Sequence, residues 1–452
     1  MSVSVDAPSS FVERTYAKVT WRILPVVAIC YLVSYIDRVN VSFAKLQMLS
    51  DLRISEAAYG LGAGIFFIGY FLFEVPSNLV LHKVGARMWI ARIMVTWGII
   101  SGLTAFTGSI ANFFGISSET TFYVLRFLLG VAEAGFFPGL LLYFNYWYPS
   151  HRQSQIVALL LIAQPVSFIL GAPLSGGIMA VSTGGTTLQG WQWMYLIEAI
   201  PAVLLGVVFL IYMSNGIHDA KWLNTEERAV LEAQLAGESK QKHDYPLGKL
   251  FSIGMLWVFT LIYLLIVVGV YGVNFWLPSI IKATGVTSLF LVGLITAIPY
   301  AVGAAIMVAA TRNAERINEK RWHAAAAAVL GGVGLILSAM YPGSTALTVV
   351  FITLAIAGSM TSMALFWSFP GSMLTGAAVA AGIAFINSVG NLGGFIGPSL
   401  LGWLTESFGD SSYGLALLGG CMVLAGLVIG ATCRDFGLRR EREAPQVAVL
   451  SH

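Results

Sequence analysis

The chain has 452 residues, 57% of them hydrophobic and only 10% charged, with a formal net charge of +3 and a mean hydropathy of +0.79. Soluble domains carry roughly 25% charged residues, so the composition excludes an ordinary water-soluble protein and points to lipid as the solvent. The basic residues form no single patch, which excludes a nucleic-acid footprint.

Met1 to Thr20 is polar and lacks the basic, apolar, small-residue order of a cleaved signal peptide. The first apolar segment is therefore expected to stay as a transmembrane helix. A crossing helix needs about 20 apolar residues. About twelve such segments are predicted, at roughly 21–44, 58–81, 87–107, 121–147, 153–180, 192–214, 248–280, 286–310, 322–340, 345–367, 374–404 and 412–434. Between them, roughly 215–247 is the longest polar stretch; Asn224 to Glu227 can start a helix there, with Ala229, Leu231 and Leu235 on one apolar side.

Lys and Arg alternate between loops in the manner of the positive-inside rule. With the N-terminus inside, only Lys45, Arg53 and Lys282 fall on the outer side, while Arg38 and Arg126 lie within apolar segments. Both termini are expected in the cytoplasm. Cys30, Cys421 and Cys433 fit neither a zinc site nor a disulfide framework and read as small core residues.

Asp37, Arg38, Arg126 and Glu133 sit inside apolar segments. A charge at the bilayer centre costs about 2.5–3.5 kcal/mol on insertion scales, so these four suggest a polar cavity that handles ions. Arg126 and Glu133 are seven apart, nearly two turns, and so share a face about 10 Å apart along the axis. They could carry an anion and a proton, or form a static pair between helices. Glu74, before Pro76, is open between a structural and a transport role. Glu198, after Trp191-Gln192-Trp193, reads as an interface residue.

Phe168 to Pro173 echoes Phe395 to Pro398 in the second half, and a six-plus-six repeat around a midplane site is one large transporter architecture. Tyr35-Ile36-Asp37-Arg38-Val39-Asn40, Phe73-Glu74-Val75-Pro76-Ser77-Asn78 and Arg126 through Gly139 resemble the first, second and fourth helices of the major facilitator superfamily's anion:cation symporter family, closest to its tartrate, phthalate and sugar-acid carriers. Glu315-Arg316 through His323 resembles the loop after its eighth helix.

The resemblance implies an all-α membrane fold of 12 helices in two pseudo-symmetric bundles, 1–214 and 248–452, joined by a cytoplasmic linker at 215–247. It implies proton carriage by Asp37 and Glu133. Substrate contact falls to Arg38, Arg126, Gln164, Asn387, Tyr35, Tyr70, Trp367 and Asn274, with Tyr271 and Asn391 as weaker matches. Conformational loops fall on Lys83, Gly85, Arg87, Glu315 and Arg316. The first loop departs from the superfamily pattern: Asn78, His82 and Ala86 replace its Gly, Asp and Arg.

The expected activity is proton-coupled uptake of a small organic anion, such as a hydroxy-dicarboxylate or a sugar acid, in a bacterial inner membrane. The partners are that anion, a proton and the bilayer. No cofactor or metal is expected, and the family default is a monomer. An aromatic acid, sodium coupling and anion exchange remain as alternatives. No Gly-x-x-x-x-Gly-Lys-Ser/Thr loop or His-Glu-x-x-His motif points to a pump or an enzyme.

Overall fold

The computed structural model describes residues 8–182, 187–236, 250–373 and 378–433, and these are helical, without a strand. The helices before the central segment are α1 (Ser9–Leu52), α2 (Glu56–Val84), α3 (Ala86–Thr104), α4 (Thr107–Phe114), α5 (Ser118–Glu133), α6 (Phe136–Asn145), α7 (Ser150–Leu161), α8 (Ala163–Val181) and α9 (Gly190–Tyr212). After the central α10 (Thr225–Ala236) come α11 (Gly254–Ala283), α12 (Leu289–Arg316), α13 (Arg321–Met340), α14 (Thr345–Phe366), the single turn α15 (Pro370–Met373), α16 (Ala378–Asn391), α17 (Gly393–Phe408) and α18 (Ser412–Thr432).

Ten spans among the described residues are long and apolar enough to cross a membrane, or eleven if the pair α3 and α4, bent by 79°, is one span. The expected segment 374–404 falls on α16 and α17, which break at Leu392, and 374–377 lie outside the described residues. Three of the other departures from expectation have a visible cause. α1 begins twelve residues early, because Thr15, Tyr16 and Val19 bury one side of its polar start. The fourth segment is two helices. The chain passes through Gly135 at φ +82, a conformation that side chains other than glycine rarely adopt. The fifth is likewise two, breaking at Ile162 just before Pro165, which has no N–H to continue the ladder.

The central helix starts where its sequence says it should. Asn224 Oδ1 accepts from the Glu227 N–H at 2.7 Å, and Glu227 Oε2 accepts from the Asn224 N–H at 2.9 Å. This reciprocal pair satisfies two donors that a helix start leaves open. Lys18 of α1 donates to the same carboxylate at 2.8 Å, tying α10 to the bundle. The remainder of the expected linker, and the basic tail after Cys433, lie outside the described residues.

The end of the bundle away from the termini is shut by close packing of early helices on late ones. A methyl added to Gly60 of α2 would stand 2.5 Å from the Pro398 carbonyl of α17, and one added to Gly176 of α8 would stand 2.5 Å from the Leu289 carbonyl of α12. In membranes such small residues let backbones approach where hydrophobic driving force is weak. Polar links reinforce the closure. Tyr59 donates to the carbonyls of Val41 at 3.2 Å and Phe275 at 3.1 Å. Glu406 accepts from the Ala57 N–H at 2.7 Å, at the start of α2. Lys45, expected on the outer side, is buried within α1 near this closed end. It pairs with Glu56 at 2.7 Å and lies 4.3 Å over the Trp276 ring.

Candidate functional site

A cavity of about 430 Å³ lies between the two sets of helices. The cavity extends to Glu74 late in α2, Leu141 of α6 and Trp367 past the end of α14, toward the end where α1 begins and α18 finishes, while the other end is closed. Tyr35, Arg38, Tyr70, Glu133 and Gln164 line it from the early helices. Tyr271, Trp367, Asn387 and Asn391 line it from the late ones.

Arg38 of α1 donates through Nη2 to Glu133 Oε1 of α5. Its other Nη lies 3.5 Å from the Tyr271 hydroxyl, across the cavity. The guanidinium sits within 5.1 to 5.6 Å of the Tyr35, Phe66 and Tyr70 rings, whose faces attract a cation. Side-chain exposure is 12% for Arg38 and 1% for Glu133, so Arg38 is the member that the cavity reaches. Glu133 is the last residue of α5, where the Gly135 turn fits against the Ser77 hydroxyl of α2. That turn fixes where the carboxylate ends up.

Three residues expected in the site lie outside the cavity. Arg126 is fully buried and donates to the carbonyls of Gly62 and Ala63, each at 3.4 Å. It sits nearer the closed end than Glu133, where α2 packs over it, so sharing a face of α5 does not give the two a common solvent. Asp37, about 100° around α1 from Arg38, turns toward α3 instead of the cavity. It accepts from Ser101 of α3 and, at 3.3 Å, from Asn40. Asn274 accepts from the Tyr300 hydroxyl at 2.8 Å and is held within the late helices. Glu198 is not interfacial: it is 4% exposed and accepts from Ser175 at 2.6 Å.

The expected conformational residues lie at the open end. Gly85 (φ +93) separates α2 from α3, and the Arg87 N–H donates to Asn215 Oδ1 at 3.0 Å. Lys83, Glu315 and Arg316 are exposed and have no ion pair among the described residues. Glu74 lines the cavity, again without an ion pair among the described residues. Sequence reasoning missed Tyr31, Ser34, Phe67 and Tyr263, which also line it. Tyr31 had a signal: it stands one turn before Tyr35 and two before Arg38 on one face of α1. Tyr263 had none apart from its two-turn spacing to Tyr271. No cluster of three or more His, Cys, Asp or Glu residues able to hold a metal occurs among the described residues.

The model of the Major Facilitator Superfamily matches residues 27–398 of this chain. The chain belongs to that superfamily. Its members are transporters rather than enzymes, and the protein is accordingly an integral membrane transporter. An Agrobacterium vitis protein named "Putative tartrate transporter" is 45% identical, over 93% of this chain and 95% of its own length. A Pseudomonas putida protein named "Putative metabolite transport protein NicT" is 42% identical over 91% of this chain and 93% of its own. Among solved structures, a D-xylose-proton symporter superposes with a TM-score of 0.71 over 92% of this chain and 97% of its own, at 18% identity. The last likeness shows the shared superfamily fold.

Proposed function

We propose that this transporter takes up a small organic anion together with a proton, by alternating access through the cavity described above. The observation that carries the proposal is the Arg38–Glu133 pair at the cavity wall. Arginine pairs with carboxylates through two parallel donors, so a substrate carboxylate and Glu133 compete for the same guanidinium. When Glu133 takes a proton, Arg38 is released to the substrate. When Glu133 loses it, the carboxylate reclaims Arg38 and expels the cargo. Linkage then requires proton and anion to strengthen each other's binding.

The volume suits a small molecule, since ligand pockets run from roughly 300 to 1,000 Å³. Gln164 from one side and Asn387 from the other offer amides for hydroxyl or second carboxyl oxygens. Together with the relatives named for tartrate, this favours a hydroxy-dicarboxylate or sugar acid. The rings of Tyr31, Tyr35, Tyr70, Tyr263, Tyr271 and Trp367 favour a second reading, an aromatic acid held by its carboxylate on Arg38.

Asp37 carries a further proton out of contact with the cargo, and Arg126 sets the field around both acids without touching it. Asn274 acts through Tyr300, and Lys83, Gly85, Arg87, Glu315 and Arg316 belong to the loops that close when the halves rock. Those halves are 1–214 and 248–452, joined by 215–247. Basic residues at the open end favour a position for it, with both termini, on the cytoplasmic side of a bacterial inner membrane, which makes the conformation described inward-facing. The unit is a monomer.

The test is uptake into proteoliposomes across hydroxy-dicarboxylates, sugar acids and aromatic acids. An inward proton gradient is expected to drive accumulation. Glu133→Gln is expected to depress that accumulation at least about tenfold more than it depresses counterflow. Accumulation driven by sodium or by a trans anion alone would overturn proton coupling. Uptake restricted to neutral or cationic solutes would overturn the anion.

A further inference from the structure

Behind the wall of the cavity, inside the early helices, lies a second polar group of side chains. Asp37 of α1 and Glu198 of α9 are 1% and 4% exposed. Asn40, itself 1% exposed, donates to Asp37 Oδ1 at 3.3 Å and also lies within interaction range of Glu198. Ser101 of α3 donates to Asp37, and Ser175 of α8 donates to Glu198 at 2.6 Å. One further acceptor on each of the three central side chains, Asp37 Oδ2, Asn40 Oδ1 and Glu198 Oε2, is buried and makes no hydrogen bond within the protein. Beside them, between α1 and α8, is a void of about 10 Å³ lined by Asn40, Ser167, Ser175 and Phe168. That is room for about one water molecule.

The surrounding charges do not neutralise this group. Arg126 of α5 is the cation that bears on Asp37, but its hydrogen bonds go to α2 carbonyls. Glu133 of α5 adds repulsion to Asp37, and Tyr195 on α9 faces Arg126, Asp37 and Glu198. Two neighbouring carboxylates in a dry interior cannot both stay ionised at acceptable cost. A proton on one of them supplies the donor that the three orphaned oxygens lack.

A ring stands between the group and the substrate cavity. Phe168 lines the small void, and Tyr35 lines the large cavity; the two rings meet at 6.2 Å between centroids. Phe168 also stacks at 4.2 Å on Tyr300 of α12, across the junction of early and late helices. Movement of one set against the other must part that stack.

We infer that Asp37, Asn40 and Glu198, with the void beside them, form an internal proton-holding site that Phe168 opens and closes to the substrate cavity as the halves move. The inference rests on proton coupling and adds Glu198 to its machinery. A proton loaded in one conformation is then kept from leaking through the cavity in the other, because Phe168 is seated only while Tyr300 backs it.

The test uses the full chain in liposomes, comparing wild type with Glu198→Gln, Ser175→Ala and Phe168→Ala. Glu198→Gln is expected to lower proton-driven accumulation about tenfold more than counterflow, and to remove a carboxylic-acid carbonyl band from infrared difference spectra. Ser175→Ala removes a donor that favours the ionised form and is expected to move the pH midpoint of uptake upward by about one unit. Phe168→Ala is expected to raise substrate-free proton leak. Unchanged accumulation and an unchanged infrared band in Glu198→Gln would overturn the inference while leaving proton coupling through Glu133 intact. A sodium-driven uptake lost in Glu198→Gln would overturn the proton as ligand. Wild type without proton-driven uptake would sink the proton-coupling reading, and the infrared band would still decide whether Glu198 holds a proton.

Discussion

Arg38 reaches across from α1 to Glu133 at the end of α5, although Glu133 shares its own helix with another arginine seven residues earlier. The nearer arginine in sequence, Arg126, directs Nε and Nη2 to the carbonyls of α2 instead. The cavity therefore presents one reachable guanidinium, and the pairing makes Arg38 and Glu133 a single functional unit.

Removing Arg38 leaves Glu133 buried and unpaired. Arg38→Ala is expected to reduce kcat/KM for uptake by about 100-fold, since truncating one partner of a buried charge pair costs about 2–5 kcal/mol. Arg38→Lys keeps the charge and loses the two-pronged geometry, so it is expected to fall between. In a double-mutant cycle on thermal stability, Arg38→Ala with Glu133→Ala is expected to be less destabilised than the sum of the singles. Additive losses would mean that the two groups act independently.

Closure at the end away from the termini depends on the absence of side chains. Gly60→Leu or Gly402→Leu is expected to hold α2 and α17 apart, because even a Cβ at Gly60 stands 3.0 Å from Gly402 Cα. The population then shifts toward the opposite opening. Labelling of Val41→Cys by an impermeant thiol reagent added at that end would report it, since Val41 is fully buried in the closed arrangement. No gain in labelling would show that closure does not depend on this contact.

The Lys45–Glu56 pair gives an unequal pair of variants. Lys45 has a side-chain exposure of 4% against 33% for Glu56. Glu56→Gln strands a buried ammonium between the Tyr59 and Trp276 rings and is expected to cost more than Lys45→Met. Breaking a buried pair costs about 3–5 kcal/mol, reduced here by the exposure of Glu56. Thermal unfolding in detergent measures both, and equal losses would contradict the asymmetry.

At the open end, the Glu227 carboxyl is held below its ordinary value. Burial acts the other way, but the Lys18 hydrogen bond, the Asn224 N–H and the Lys18 charge outweigh it. A folded value below the unfolded one means that the stabilisation is present above about pH 4.3 and fades as pH falls through the folded value. Hydrogen exchange of α10 is expected to quicken on acidification in wild type. Glu227→Ala is expected to quicken it already at neutral pH, by losing a cap worth about 1 kcal/mol as well as the bridge. Lys18→Ala should do less, because an exposed pair is screened by solvent. Exchange insensitive to pH would remove this contact from the account.

Much of this protein was legible without coordinates. Long apolar segments fixed a helical membrane protein, because backbone groups in lipid must be satisfied within the segment. Charges that survive in such segments marked Asp37, Arg38, Arg126 and Glu133, and the motif around Tyr35, together with Gln164, supplied part of the cavity wall. The start of α10 was readable because a capping box is local.

What the tertiary structure alone decided is which of those charges meet. Whether a guanidinium faces a cavity or a carbonyl depends on the neighbouring helix, and spacing along one helix carries no information about that. The Gly135 turn ends α5 at Glu133 and delivers its carboxylate to Arg38, while α2 seals Arg126 away. Glu198 looked interfacial because it follows tryptophans; packing of α8 and α9 around it made it part of an interior polar group with Asp37. The sequence set the cost of each buried charge, and only the packing of helices distant in the chain set its partner.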